Sequence, residues 1–268
     1  YDTVTNDLIS SNIVGEKGGS LSIFPGSYHL VIYSFGTEST QLKDLHNRTK
    51  ANAFTTDITA SKGEIIKSKI NESAREYVSK GYEDDPIINE PDHLYTSNEM
   101  DVTIDAFTGG EQTVTIRTTV STILDVYSLE VLNIKGAENI EKVEAFVTGQ
   151  ILSNYFGRPE RDSSPATVYV DMSVDVENSR LYTVFNTFGK LPGEQNQIFL
   201  DITVTDSGGG QYRYIYDVTD QFDDPGNEDH QLVIDGEKID IPEAEHGGGG
   251  FRPEIDEWER EDIEVPLA

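Results

Sequence analysis

Short runs of alternating hydrophobic and polar residues recur along most of the 268-residue chain, separated by glycine, asparagine and proline. This period of two is typical of strands that bury one face. In the second half the runs follow one another at the spacing of a β-sandwich. They read KVEAFVTGQIL, TVYVDMSVDV, LYTVFNTFG, NQIFLDITVTD, QYRYIYDVTDQF, HQLVIDG and KIDIP. The pattern predicts an all-β protein, and the turn 207–210 predicts its clearest hairpin.

The first half carries fewer strand patterns. Residues 27–35, SYHLVIYSF, are apolar on both faces, which predicts a central strand. Residues 53–58 predict a weaker strand. The runs EMDVTIDAF and EQTVTIRTTV flank Gly109–Gly110 and predict a hairpin. Residues 82–95 contain two prolines and predict a loop.

One segment has helical rather than strand periodicity. Ser61 and Glu64 have the spacing of a capping box. Hydrophobic residues then recur three or four positions apart until Gly81 supplies a stop. The sequence therefore predicts a helix near 62–80, packed over a sheet. An apolar stripe of this kind more often belongs to a core than to a partner-binding face.

The last residues form a tail that follows four glycines, Gly247–Gly250. Glycine permits almost any backbone direction, so these residues predict a hinge. Beyond it, apolar residues alternate with charged ones, and Trp258 stands out of phase. A terminal strand here either closes the sheet of its own second domain, which the docking habit of termini favours, or pairs with another molecule. The residues expected to fill pockets are Phe251, Ile255, Trp258, Ile263, Val265 and Leu267.

The length suits one large or two small domains, and the run ILDVYSLEVLNI is too long for one ordinary strand. It indicates that the chain leaves one domain near Thr118 and enters the next. We therefore expect β-sandwich domains at 1–118, which would contain the helix, and at 119–268, which would end in the tail.

The composition excludes several functions. Lys plus Arg number 20 and Asp plus Glu 49, which gives a formal charge of −29. So negative a chain is not expected to bind nucleic acid or an anionic membrane surface directly. It has no cysteine, hence no disulfide and no thiolate chemistry. No apolar run reaches the length of a membrane span, and the first residues, YDTVTNDLISS, do not resemble a signal peptide. Because the sequence begins with Tyr1, we expect a processed chain.

No residue pattern indicates catalysis or cofactor binding. The five histidines are scattered, and no nucleophile elbow, P-loop or dinucleotide fingerprint occurs. The acidic run 223–229 fails the calcium-loop pattern because Ile234 takes the place of its closing glutamate. No enzyme activity, cofactor or metal is therefore predicted. Tyr212, Tyr214 and Tyr216 share one face of a strand; such a row can stack on sugars, but packing within a half-exposed sheet is the favoured interpretation.

Several segments, in order, resemble an uncharacterised group of Bacteroidales surface lipoproteins related to the fimbrillins. They are PGSYHLVIYSF, PDHLY (91–95), VFNTFGKLPG, YIYDVTDQF and IPEAEHGGGGFRPEIDEWEREDIEVPL. The resemblance implies two transthyretin-like Greek-key β-sandwich domains and a lipid anchor on a cysteine upstream of Tyr1. It also implies a location at the outer membrane or on a fimbrium, and assembly by donor-strand exchange with other fimbrial subunits, which is a form of β-augmentation.

The chain departs from this family at its start, because the family's first strand has no counterpart before YDTVTNDLISS. We therefore expect an acceptor groove in the first domain. The expected function is that of a structural or adhesive component of a cell-surface fimbria, an anchor or accessory subunit. The alternative is a surface module that binds a glycan or host ligand through the tyrosine row or the PDHLY loop.

Overall fold

The computed structural model describes residues 1–36, 38–62, 84–97, 100–106, 108–110, 113–193 and 196–243. This part is dominated by strands, which confirms the all-β prediction. Residues 59–62 are helical, and short helices form at Ala137–Asn139 (3-10) and Thr219–Asp223. The strands are β1 (Gly26–Leu30), β2 (Tyr33–Phe35), β3 (Thr40–Lys43), β4 (Asn52–Thr55), β5 (Ile87–Asn89), β6 (Leu94–Thr96), β7 (Met100–Ile104), β8 (Ser121–Thr122), β9 (Asp125–Leu132), β10 (Ile140–Ile151), β11 (Ser153–Tyr155), β12 (Pro165–Asp175), β13 (Arg180–Thr187), β14 (Phe199–Asp206), β15 (Gln211–Asp217) and β16 (Gln231–Asp235).

The strands of the second half form two layers joined by the long strand β12. Its first part lies between β10 and β5 in a layer with the order β15-β14-β10-β12-β5. Its last residues, 173–175, pair with β13, which is followed by β9 and β16. Leu129 and Phe185 from one layer and Ala145 and Ile202 from the other belong to one buried core. The second set of predicted strands is confirmed, except that KIDIP forms only an isolated bridge between Lys135 and Asp240.

The β14–β10–β12 layer is covered on both faces. Phe146 points away from the main core and packs with Ile87, Ile58 and Tyr169. On the same side, Lys62 donates to a Glu144 carboxylate oxygen at 2.6 Å. The residues around 58–62 thus lie over this face. Lys62 is helical, and the rest of the predicted helix near 62–80 lies outside the described residues.

Two small sheets, β3-β4-β11 and β2-β6-β8, connect the first half of the chain to the second. In both small sheets, strands from before Thr118 therefore pair with strands from after it. Strands β5 and β12 do the same. Ala53 and Leu94 are fully buried in the same core as the second-half strands. The division into domains at 1–118 and 119–268 stays a prediction.

Three expectations for the first half are wrong. The run 27–35 splits into β1 and β2 because Ile32 exchanges hydrogen bonds with Ser97, its N–H with the hydroxyl (2.9 Å) and its carbonyl with the amide (2.8 Å). The loop 82–95 contains β5, which finds a parallel partner in β12. The predicted hairpin around Gly109–Gly110 does not form, because β7 pairs with β1 and the described residues 113–120 pair with no strand. By contrast, the hairpin at 207–210 is confirmed.

Across the described ranges, no helix has the length and apolar character needed to span a membrane.

Candidate assembly surface

The β1–β7 pair is a two-stranded sheet that buries none of its residues. Its apolar positions share one face, since Tyr28 lies opposite Val102 and Leu30 opposite Met100. All four are only partly covered. A two-stranded sheet is marginally stable by itself and needs further strands or a packing partner. This pair therefore has the character of an incomplete sheet.

The first residues of the chain cover one edge of this pair. The terminal ammonium of Tyr1 donates to the His29 carbonyl at 2.9 Å, and the His29 amide donates back to the Tyr1 carbonyl at 2.9 Å. Asp2 forms a bridge with Tyr28. Burial is the main influence on the ammonium and lowers its pKa. The β1 edge is thus occupied over a short length.

Residues 113–120 have the composition of a strand without the pairing of one. Every residue except Arg117 is β-branched, which favours extended backbone. Val114, Ile116 and Val120 share one phase of the alternation and expose 43%, 38% and 44% of their surface. In the described part of the chain, no backbone hydrogen bond joins these residues to a strand. The Thr119 carbonyl accepts from the Thr118 hydroxyl at 3.2 Å, and the main-chain groups of the segment have no strand partner within the described residues.

Residues 9–24 form a second exposed segment beside β1. Ile13 and Phe24 are 96% and 85% exposed. Within the described residues, the segment's one backbone–backbone hydrogen bond joins the Gly18 amide to the Gly15 carbonyl at 2.9 Å, and the Ser20 and Phe24 carbonyls accept from the Asn12 side chain and the Tyr28 hydroxyl, both at 2.8 Å. We call β1, β7 and the segments 9–24 and 113–120 together the open unit. Within the described residues these segments have little strand pairing and expose apolar side chains. The acceptor groove stays a prediction.

The tyrosine row lies on β15, whose only strand partner in the described part is β14. Tyr212, Tyr214 and Tyr216 are half-buried and pack against the main core. The Tyr212 hydroxyl donates to Asp206 at 3.0 Å. The Tyr216 hydroxyl is buried and has no hydrogen-bond partner in the described chain, and burial raises its pKa to about 12. A ligand-binding role for this row stays a prediction.

The PDHLY segment contacts the start of β3 and strand β13. The Asp92 carboxylate accepts from the amides of Ser39 (2.8 Å) and Thr40 (3.0 Å). Burial acts to raise the pKa of Asp92, but these hydrogen bonds outweigh it and lower the pKa. The Pro91 carbonyl accepts from the Asn186 side chain at 3.1 Å. These contacts give the segment a structural role.

No group of three or more histidines, aspartates or glutamates within the described ranges is arranged to hold a metal ion. The six tail residues, Phe251, Ile255, Trp258, Ile263, Val265 and Leu267, lie outside the described residues. The sequence patterns do not predict a site in the segment 9–24. A signal was present, because apolar residues there flank the glycine-rich stretch GEKGG without a neighbouring run to pair with.

The chain belongs to the family described as a domain of unknown function, DUF5119, whose model matches residues 5–171. No curated protein matches its sequence. Among solved structures, it is similar to a candidate adhesin from Bacteroides ovatus ATCC 8483, with 18% identity, a TM-score of 0.54, and coverage of 81% of this chain and 78% of the other. This likeness confirms the resemblance indicated by the sequence at the level of the fold.

Two more distant structures are also similar. One is described as candidate polysaccharide-binding proteins (DUF1812) from Bacteroides thetaiotaomicron, with 12% identity, a TM-score of 0.42, and coverage of 82% and 68%. The other is the fimbrial anchor protein Mfa2 from Porphyromonas gingivalis, with 13% identity, a TM-score of 0.40, and coverage of 74% and 62%.

Proposed function

We propose that this protein is a structural or adhesive component of a bacterial cell-surface fimbria, an anchor or accessory subunit, that assembles with other subunits by β-strand donation. The observation that carries the proposal is the open unit, above all the unpaired, strand-like residues 113–120. The proposal includes the two transthyretin-like domains, divided near Thr118, and attachment to the outer membrane through a lipid upstream of Tyr1.

Strand donation would stabilise the open unit by pairing its main-chain groups and covering its exposed apolar side chains. A donated strand would pair with amides and carbonyls that have no strand partner in the described chain, and its alternate side chains would set the register. It would also cover the exposed fractions of Val114, Ile116 and Val120, 38–44% of each side chain. Covering that much apolar surface contributes roughly 1 kcal/mol for each side chain. Several such contacts with a backbone ladder suffice for a stable joint.

The donor that the sequence offers is the tail 251–268 of a neighbouring subunit, with Phe251, Ile255, Ile263, Val265 and Leu267 as its pocket-filling residues and Trp258 at a corner. The competing arrangement places the tail on the second domain of its own chain. The glycine hinge makes both routes accessible. In donation between molecules, the tail contacts residues 113–120 of another molecule. In closure within one chain, it does not.

Cysteine cross-linking separates the two arrangements, because the chain contains no cysteine of its own. One variant carries Val114→Cys with an affinity tag, and a second carries Val265→Cys without a tag. After mixing and mild oxidation, donation between molecules predicts a disulfide-linked species of twice the chain mass that contains both variants. The matched control replaces Val114→Cys by Glu177→Cys, a thiol in an exposed turn.

Equal cross-linking of the Val114→Cys and Glu177→Cys variants would contradict strand acceptance at residues 113–120. A chain that carries Val114→Cys and Val265→Cys together gives a further comparison at low protein concentration. Closure in cis predicts an internal disulfide there and no linked pair in the mixing experiment.

A further inference from the structure

Strand β15 forms a sheet edge that lies apart from the open unit. It ends the layer β15-β14-β10-β12-β5, and in the described chain β14 is its one strand partner. At the two ends of this ladder, the Val218 amide donates to the Ile198 carbonyl and the Asp206 amide to the Gly210 carbonyl, both at 2.9 Å. Hydrogen-bonded positions recur at every second residue of an antiparallel pair. The even-numbered residues of β15 therefore bond to β14, and the amide and carbonyl of Ile215 point outward.

Other strand edges of the described chain are covered by specific contacts. On β16, the Gln221 side chain accepts from the Val233 amide at 2.8 Å and donates to the Val233 carbonyl at 3.1 Å. On β5, the Ile58 amide donates to the Ile87 carbonyl at 2.7 Å. Residues 1–2 cover β1 in the same way. Such contacts keep an edge from pairing with another chain. Within the described residues, no contact of this kind covers β15.

The sequence of β15, QYRYIYD, also lacks the features that commonly protect an edge strand. It contains neither proline nor lysine, and its pairing with β14 runs from Gln211 to Asp217 without a bulge. The charge of Arg213 points into the fold and is offset by Asp201, whose two carboxylate oxygens accept from Arg213 Nε at 2.8 and 3.0 Å. The strand is thus regular, and a further strand can extend the sheet beyond it.

The order of side chains along β15 is complementary to a second copy of itself. With two β15 strands antiparallel and Ile215 opposite Ile215, Arg213 of each copy lies opposite Asp217 of the other. On the opposite face, Tyr214 lies across from Tyr216. Pairs of opposite charge and pairs of aromatic rings stabilise an antiparallel ladder. Asp217 is exposed, and Ile215 and both tyrosines are half-buried, so each retains surface that a second strand covers.

We propose that two copies of this chain pair through their β15 edges and form a two-fold dimer with one sheet continuous across both. The outward amide and carbonyl of Ile215 in each copy exchange hydrogen bonds at the centre of the pair. The contact is isologous, so it closes at two copies. The net charge of −29 on each chain opposes the pairing, and salt that screens this repulsion favours it.

The first test is sedimentation velocity of the full chain over about 1–200 μM, in about 0.3 M salt. We expect a monomer–dimer equilibrium with a dissociation constant of about 10–100 μM, because the interface is small. Ile215→Pro removes the outward amide and leaves the ladder with β14 intact, a change that an edge strand accommodates. It is expected to weaken the dimer by about tenfold or more with little change in melting temperature. The matched control, Ile215→Val, keeps the amide and is expected to dimerise like the unmodified chain.

The second test uses cysteine substitutions to examine the register. In the proposed pair, Ile215→Cys places two thiols opposite each other, with Cα atoms about 5.5 Å apart, which a disulfide spans. Asp217→Cys is the control because position 217 is the more exposed of the two. Its two copies lie four residues apart along the strands, about 13 Å, which is too far for a disulfide. Mild oxidation is expected to link Ile215→Cys into dimers and to leave Asp217→Cys unlinked.

A chain that stays monomeric over the whole concentration range would overturn the proposal. So would a dimer that persists unchanged in Ile215→Pro, or equal cross-linking of the two cysteine variants. An internal disulfide in a chain that carries both Ile215→Cys and Val265→Cys would also contradict it, because the chain's own tail would then cover β15. The dimer requires neither strand donation nor residues 113–120, so these results are independent of the assembly test.

Discussion

Tyr28 and Val102 lie directly opposite each other across β1 and β7, and neither side chain is buried. In the rest of the protein, apolar pairs of this kind sit in a core, as Ala145 and Val170 do across β10 and β12. Within the described chain, the contrast marks the β1–β7 pair of the open unit as a sheet whose apolar face is incompletely covered.

Ile116→Ser is expected to affect assembly and not the isolated chain. Ile116 is 38% exposed and unpaired in the described chain, so the free energy of unfolding should change by about 0.5 kcal/mol or less. If a donated strand covers this side chain, a chain that carries Ile116→Ser together with Val114→Cys should cross-link several-fold less to the Val265→Cys variant than a chain that carries Val114→Cys alone. Thr115→Ser, on the opposite phase of the alternation, is the control. If Ile116→Ser reduced cross-linking no more than Thr115→Ser does, the side of the segment that carries Ile116 would not face the donor strand.

The buried pair of Asp201 and Arg213 should respond differently to single and double substitution. Arg213 Nε donates to both carboxylate oxygens of Asp201, at 2.8 and 3.0 Å, in a site where Asp201 is 1% exposed. Asp201→Asn removes the negative charge beside a buried guanidinium and should cost about 3–5 kcal/mol in urea unfolding. Asp201→Leu combined with Arg213→Met should cost much less, because no charge remains buried. A double variant as unstable as the single one would contradict this account.

Glu90 should make the protein less stable as the pH rises. Burial is the main influence and raises the pKa of Glu90, although the Asn186 amide, which donates to it at 2.8 Å, acts in the opposite direction. A carboxyl whose folded pKa is raised contributes stability that is complete below its unfolded pKa and is lost as pH rises through the folded pKa. Glu90→Gln removes this loss and keeps an acceptor for Asn186.

The melting temperature of Glu90→Gln should therefore exceed that of the unmodified chain at neutral pH, with the difference shrinking towards pH 4, near the pKa of an unfolded glutamate at about 4.3. The exposed Glu138 offers the control Glu138→Gln. A difference that instead grows on acidification would reverse the sign of the argument.

The hydroxyls of the tyrosine row provide a matched pair of substitutions. Tyr212→Phe removes a hydrogen bond to Asp206 and should lower the unfolding midpoint. Tyr216→Phe removes a buried hydroxyl without a partner in the described chain, so stability should stay constant or rise by up to about 1 kcal/mol. Thermal melting of both variants checks the prediction. A large loss for Tyr216→Phe would mean that its hydroxyl is bonded after all.

The second half of the fold was predictable because its strands are long and regular. β10, β13 and β14 follow continuous runs of strand-forming residues, and Gly208–Gly210 closes a turn that the sequence marks clearly. The first half was less predictable because its pairings are non-local. β5 finds its partner about 80 positions away in β12, and Ser97 divides the run 27–35 through a contact that no local pattern encodes. The candidate assembly surface was hard to predict for the same reason, because it depends on which strands pair. The composition of 113–120 indicates a strand, but only the fold shows that the described residues give it no strand partner.

Hydrogen exchange of the backbone amides of residues 113–120 tests the central claim most directly. The account predicts exchange within seconds in the monomer, because these amides have no strand partner in the described chain. It predicts slowing by about 100-fold or more in the assembled protein, at the level of a paired strand. The amides of β10 should be protected in both states and serve as the internal reference. Protection of residues 113–120 already in the monomer, or their continued rapid exchange after assembly, would contradict the claim that the open unit accepts a strand.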